Sequence, residues 1–141
     1  MPNGRTHDGI SLFTAPIMGI GTYLITTDIK ITLILSSAYI FASFMFNGDL
    51  DTNSKPYNRW WLFKVIWVPY QIMFQHRSVF THGIIIGTAV RLIYLLAIPF
   101  IILAVKHNLG ILTTISIAIW LPIVIGLELG SAVHTISDKI F

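Results

Sequence analysis

The sequence predicts an all-α fold, a four-helix transmembrane bundle, and three observations carry that expectation. The chain of 141 residues is 55% hydrophobic and 11% charged, with mean hydropathy +0.76, far more apolar than a soluble domain. Four apolar stretches, at about 10–27, 29–46, 83–105 and 109–133, approach or exceed the ~20 residues that carry a helix across a hydrocarbon core of ~30 Å. None alternates polar and apolar residues as barrel strands do, and in lipid only helices or closed barrels satisfy every backbone group. A single integral membrane domain, residues 1–141, uses nearly the whole chain.

Charge sets the expected topology. The formal charge is +3 and the pI near 9.4, but the basic residues stand singly between spans, which argues against nucleic acid and for the lipid bilayer as partner. With four crossings, Arg5, Lys55, Arg59, Lys64, Arg77 and Lys139 fall on one face, and Lys30 and Lys106 on the other. The positive-inside rule then places the first face and both termini in the cytoplasm. Only Arg5 precedes the first span and no convincing small-residue cleavage site follows, so that span reads as retained rather than as a signal peptide. There is no cysteine, so neither disulfides nor thiolate metal sites arise.

In chain order, a polar opening holds His7 and Asp8, and the first span carries Pro16, Gly19 and Gly21. The short connection at Thr26, Thr27 and Asp28 makes spans one and two an antiparallel hairpin. Span two ends at FNGDLDTNSKPYNR, a run of loop formers with Asp49 and Asp51 at its membrane edge. The aromatic stretch from Trp60 to Phe74, interrupted by Pro69, would rise only ~22 Å as helix. It is too short to cross and suits an interfacial segment rich in Trp and Tyr. Span three is expected to open at Thr81, with Ser78 as the other candidate cap, and to run to Val105. Lys106, His107 and Asn108 turn the chain at the opposite face, where His107 has no assigned role. Span four then passes Pro122 and Glu128 before ending in GSAVHTISDKIF.

Four of the five histidines and four of the six acidic residues fall at one end of the helices: His7, Asp8, Asp49, Asp51, His76, His82, His134 and Asp138. Any one of them alone is more readily a solvated helix end. Their spacing shifts the balance, since His134 and Asp138 share a helical face and Asp49 and Asp51 stand two apart. Imidazole with carboxylate suits zinc, manganese or iron. The set exceeds what one tetrahedral ion needs, so either some members orient the others or two divalent ions are held, as in sites that activate water at a phosphoryl group. Asp51 or Asp138 would accept the proton from water, and Arg77 offers a planar fork for an anionic, phosphoester or lipid-proximal substrate. A metal that only ties the helix ends, in a non-catalytic protein or assembly subunit, is the alternative, while transport is disfavoured because the polar cluster sits at one face rather than the midplane. On a continuous helix His76 and His82 would point ~120° apart, so a chain break is expected at Ser78 to Thr81. Arg91 and Glu128, the two charges well inside spans, are expected to pair, with Glu128 facing away from His134. Gly83 with Gly87 and Gly126 with Gly130 invite close helix approach.

GRTHD, the DLD after span two, HRSVFTH before span three and HTISD near the end together resemble a bacterial family of small metal-binding membrane proteins. They are also similar to the wider group of membrane-bound metal-dependent hydrolases. The resemblance covers nearly the whole chain and implies a bacterial cytoplasmic membrane location. It also implies His7, Asp49, Asp51, His76, His82, His134 and Asp138 as metal-site residues, with Asp8 beside them. The chain ends three residues after Asp138, where many relatives continue.

Overall fold

The computed structural model describes residues 4–106 and 116–140, all of whose regular structure is helical. Four helices are long and apolar enough to cross a membrane: α1 (Gly4–Thr26), α2 (Ile29–Met45), α6 (Ile86–Val105) and α7 (Ile117–Ile140). Their outward side chains, among them Leu12, Phe13, Leu24 and Ile101, stay exposed, which is consistent with helices that could cross a membrane. The short helices α3 (Lys55–Arg59), α4 (Val68–Met73) and α5 (Val79–His82) and two 3-10 segments, Gly48–Asp51 and Trp61–Trp67, lie between α2 and α6.

Helix α1 starts six residues before the apolar stretch expected for it, so His7 and Asp8 ride on helix rather than on a polar lead. Asp28 caps α2, its carboxylate accepting from the backbone N–H groups of Lys30 (2.7 Å) and Ile31 (3.3 Å). The hairpin is tied midway by Thr14 Oγ1 and Tyr39 OH at 2.5 Å.

The close partner of α2 is α7. Cβ atoms built on Gly126 and Gly130 would run into the carbonyl oxygens of Leu35 and Tyr39 and lie 2.8 Å from the Cβ atoms of Ala38 and Ala42. The missing side chains let the two backbones touch, which is how helices gain packing where lipid is as apolar as leucine. Gly83 and Gly87 act differently, since added Cβ atoms there would meet Val79 O and Thr81 O. They let α5 fold back on the start of α6 instead of joining spans.

The aromatic stretch breaks into the Trp61–Trp67 3-10 segment and α4, neither long enough to cross. Trp67 and Tyr70 are fully buried, while Trp61, Leu62 and Phe63 remain exposed. Trp67 stacks edge-on against Phe46, Trp60 and Tyr70, with ring centroids 5.2 to 5.8 Å apart. Trp60 Nε1 and Arg59 Nη1 donate to the carbonyls of Met45 (2.7 Å) and Phe44 (3.0 Å), satisfying the end of α2.

Span three departs from expectation in two ways. Thr81 lies inside the single turn of α5 and α6 opens only at Ile86, so the chain breaks on both sides of the Ser78–Thr81 stretch, at 74–78 and at 83–85. Ile85 takes φ 68°, a left-handed conformation costly for a β-branched residue. The expected ion pair is replaced as well. Glu128 Oε1 accepts the Ile85 N–H at 2.8 Å, capping a backbone group that the break leaves free. Arg91, fully buried, donates instead to Thr81 O (2.6 Å), Thr88 Oγ1 (3.2 Å) and Ser131 Oγ (2.5 Å). Residues 107–115, which include His107 and the expected start of span four, lie outside the described residues.

Gly130→Ala is expected to cost about 1–3 kcal/mol through overpacking against backbone that cannot yield. Gly21→Ala, where an added Cβ meets nothing within 4 Å, should be neutral or stabilising. Unfolding midpoints of both variants in one detergent check the contrast.

Candidate metal centre

The site forms where α1 begins, α2 ends and α7 ends. Asn47 builds its first wall. Fully buried, it donates from Nδ2 to Ser43 O (2.9 Å) and accepts the Asp49 N–H on Oδ1 (3.2 Å), which turns the chain into the Gly48–Asp51 segment. Gln71 Nε2 holds that segment from the other side through Leu50 O (3.0 Å) and Thr52 O (3.1 Å). Asp49 and Asp51 are thereby placed on a rigid turn under α7.

On α7, His134 and Asp138 stand one turn apart and face this segment, while α1 delivers His7. His7 Nε2 lies 3.2 Å from Asp138 Oδ1, and His134 Nε2 lies 3.4 Å from Asp138 Oδ2 and 3.3 Å from Asp49 Oδ2. His82 Nε2 approaches Asp49 Oδ1 at 3.5 Å. Two groups of three donors result among the described residues, His7 with His134 and Asp138, and Asp49 with His82 and Asp138, each with its donor atoms within 4.8 Å of one another. Asp138 belongs to both.

The donors fit a divalent ion for a reason visible in their hydrogen bonding. His7 Nδ1 and His134 Nδ1 are buried without a hydrogen-bond partner, and His82 Nε2, His134 Nε2 and Asp138 Oδ2 are buried with no well-aligned hydrogen bond, only mutual or Asp49 approaches at 3.3 to 3.5 Å, a costly condition for polar atoms left to themselves. Separations of 3.2 to 3.5 Å are close to the ~3.3 Å edge of a tetrahedron with metal–ligand bonds of about 2.0–2.1 Å. The His7 and His134 rings also stand 4.3 Å apart, a poor arrangement for two imidazolium ions and a reasonable one for two neutral ligands.

The remaining expected residues take other positions. Asp51 accepts from His76 Nδ1 on Oδ1 (2.7 Å) and from the Arg77 N–H on Oδ2 (3.1 Å), with His82 Nδ1 3.5 Å from Oδ2. It orients the histidines rather than joining either donor group. His76 is half-exposed with its ring beside that of His82. Asp8 turns to Arg59 (2.7 Å) and Lys55 (3.4 Å). Arg77 has an exposed side chain and φ 61°.

Sequence reasoning missed three contributors. Gly48 is needed for clearance, because a Cβ there would lie 2.8 to 3.0 Å from three atoms of the His82 ring. Thr81 Oγ1 meets His82 Nδ1 at 3.0 Å, leaving Nε2 to face Asp49. Arg91 holds the Thr81 carbonyl from below. Thr81 lies within HRSVFTH, where it is expected only as a helix cap, and Gly48 directly precedes DLD among loop formers, so neither position signals its contact with His82.

Two cavities of about 190 Å³ flank the donors. The first opens between α1 and α3, past Lys55 and Arg59 to His7 and His134, and the second lies by Arg77, His82 and Lys139. Asp138 lines both.

Gly48→Ala should displace the His82 ring and weaken metal binding about tenfold or more, read by competition with a chelating dye. In the metal-free protein, burial opposes protonation of His82, but the close approach of the Asp49 and Asp51 carboxylates, each 3.5 Å from a ring nitrogen, outweighs it and raises the pKa to about 9. The folded pKa exceeds the ~6.5 of an unfolded histidine. The stabilisation is therefore complete below ~6.5 and is lost as pH rises through about 9. Unfolding midpoints of metal-free protein should fall across that window, and His82→Gln should flatten the fall.

Comparison with known proteins agrees with this chemistry. The family model described as "Uncharacterized metal-binding protein (DUF2227)" matches residues 2–141. An "Uncharacterized protein" of Aquifex aeolicus (strain VF5) is 40% identical over 58 residues, which are 40% of this chain and 40% of that protein, so the match spans about two-fifths of the relative's length. No solved structure matches. With buried histidine and aspartate donors converging as a divalent ion requires, and a family match over nearly its full length, the chain belongs to this family of uncharacterized metal-binding proteins.

Proposed function

We propose that this metal-binding protein is a metal-dependent hydrolase of the bacterial cytoplasmic membrane, with both termini in the cytoplasm, acting on a phosphoester at that face. His7, Asp49, His82, His134 and Asp138 would hold one or two divalent ions, zinc, manganese or iron. The observation that carries the reading is that these poorly satisfied donors form the wall of two cavities. Purely structural metal sites are closed, whereas catalytic ones keep an open side. Cationic groups border both cavities, Lys55 and Arg59 at the first, Arg77 and Lys139 at the second, so an anionic substrate suits the surroundings.

A bound divalent ion supplies Lewis acidity that polarises a phosphoryl oxygen and makes water a better nucleophile at neutral pH. Asp138 lines both cavities and its Oδ2 has no well-aligned hydrogen bond, so it is the carboxylate suited to take the proton from the attacking water. In hydrolysis the water oxygen bonds to phosphorus, the P–O bond to the alcohol breaks, and the proton leaves with the alcohol. Asp51, with its oxygens engaged by His76 and the Arg77 backbone, keeps His82 in place instead. The spread of donors over α1, the Gly48–Asp51 turn, α5 and α7 favours a second reading, in which the metal only ties the helix ends.

Purified protein should carry stoichiometric metal, and a His82→Ala, His134→Ala double variant should lose it. Undiminished metal in that variant sinks the site. On a phosphoester panel, His134→Ala should lower turnover on the order of 100-fold. No turnover by loaded wild type, with unfolding on chelation, would instead establish the tying role.

A further inference from the structure

We infer that the cavity between α1 and α3 is a seat for a phosphate group, which would take the place that the Asp8 carboxylate now holds between Arg59 and Lys55. The inference rests on the proposed metal site for one of the cavity's walls and names the group the other wall receives. Asp8 Oδ2 accepts from both Arg59 Nη2 (2.7 Å) and Lys55 Nζ (3.4 Å) at the cavity mouth. Two cations converging on one carboxylate oxygen describe an anion site already filled, by the chain's own side chain. The Arg59 fork does not depend on that filling. Its Nη1 donates to Phe44 O at 3.0 Å and its guanidinium lies 5.0 Å from the Phe44 ring centroid, so it stays aimed when Asp8 leaves.

Deeper in the same cavity, Ser43 is buried and its Oγ has no hydrogen-bond partner. An unpartnered buried hydroxyl lining the same cavity as the two cations is what a carboxylate at the mouth leaves unsatisfied. A phosphate has the additional oxygens to do so, one toward Arg59 and Lys55, one toward Ser43 Oγ and one left toward the His134 imidazole on the far wall. Asp8 follows His7 on α1, so a side-chain rotation vacates the mouth without moving the helix. The chemical class is a phosphate monoester, whether a soluble ester or a lipid headgroup.

The test is titration of inorganic phosphate into metal-loaded protein in phosphatidylcholine nanodiscs, with calorimetric readout and metal content measured on each variant. Asp8→Asn should tighten binding about tenfold by removing the competing carboxylate, and Arg59→Met should weaken it about tenfold. Lys55→Met should weaken it less, and Lys30→Met, at the opposite end of the bundle, should leave it unchanged. Asp8→Asn reads a gain, so misfolding cannot imitate support. The same order of variants is expected in metal-free protein at lower affinity. Loss of metal from wild type therefore counts against the metal reading, while the order of variants decides this one. Phosphatidic acid in the nanodisc that competes with inorganic phosphate assigns the group to a lipid headgroup, and phosphate binding without that competition assigns it to a soluble ester. Affinity unchanged in both Asp8→Asn and Arg59→Met, with metal retained, overturns the seat.

Discussion

The backbone contact between α2 and α7 is the constraint on which the remainder of the structure depends. Gly126 and Gly130 bring α7 onto the carbonyls of Leu35 and Tyr39, closer than any side chain would permit. Because Gly126, Gly130, His134 and Asp138 recur every four residues, the stripe that packs on α2 continues past its end into the donors. The helix that meets α2 through two glycines then presents imidazole and carboxylate to the Gly48–Asp51 turn. Association in lipid gains little from apolar burial, so this approach, the Tyr39 bridge to α1 and the polar groups at one end hold the bundle.

Below the donors, polar groups satisfy one another in an order that the break in span three imposes. Breaking the helix at 83–85 frees backbone groups that side chains of α6 and α7 then take up. Glu128 takes the Ile85 N–H, Arg91 Nη1 takes the Thr81 carbonyl, and Ser131 and Thr88 accept from its Nη2. Two charges at matching depth are thus consumed by backbone repair rather than by each other. The repair also has a consequence above it, because Thr81, held by Arg91, is the residue whose hydroxyl meets His82 Nδ1. A left-handed Ile85 costs about 1–3 kcal/mol, and what it secures is a one-turn helix that delivers His82 across Gly48.

The electrostatics of the donor cluster follow from the same geometry. Asp49 and Asp51 flank His82 closely enough to hold a proton on it, and a metal entering must displace that proton. Asp51 is bound to His76 and to the Arg77 backbone, which leaves it as the fixed group against which His82 is set. Asp8, one position from a donor, belongs to the cationic mouth of the neighbouring cavity.

Hydropathy and span length alone determined the helical class and the number of long apolar helices, because a chain this apolar has few ways to satisfy its backbone in lipid. The order of short polar motifs determined which side chains gather at one end, since spans of similar length must return His7, Asp49, His82 and His134 to the same level. The i, i+4 spacing of His134 and Asp138 was legible because helical geometry is local. Only the tertiary structure decided that Asp138 lies in both groups of three donors, that Asp51 and His76 stand behind His82, that Asp8 turns to Arg59 and Lys55, and that Arg91 and Glu128 do not pair. Those outcomes depend on which backbone group lies free within hydrogen-bond reach, and that is set by the α2–α7 approach and by breaks at 74–78 and 83–85 that no periodicity records.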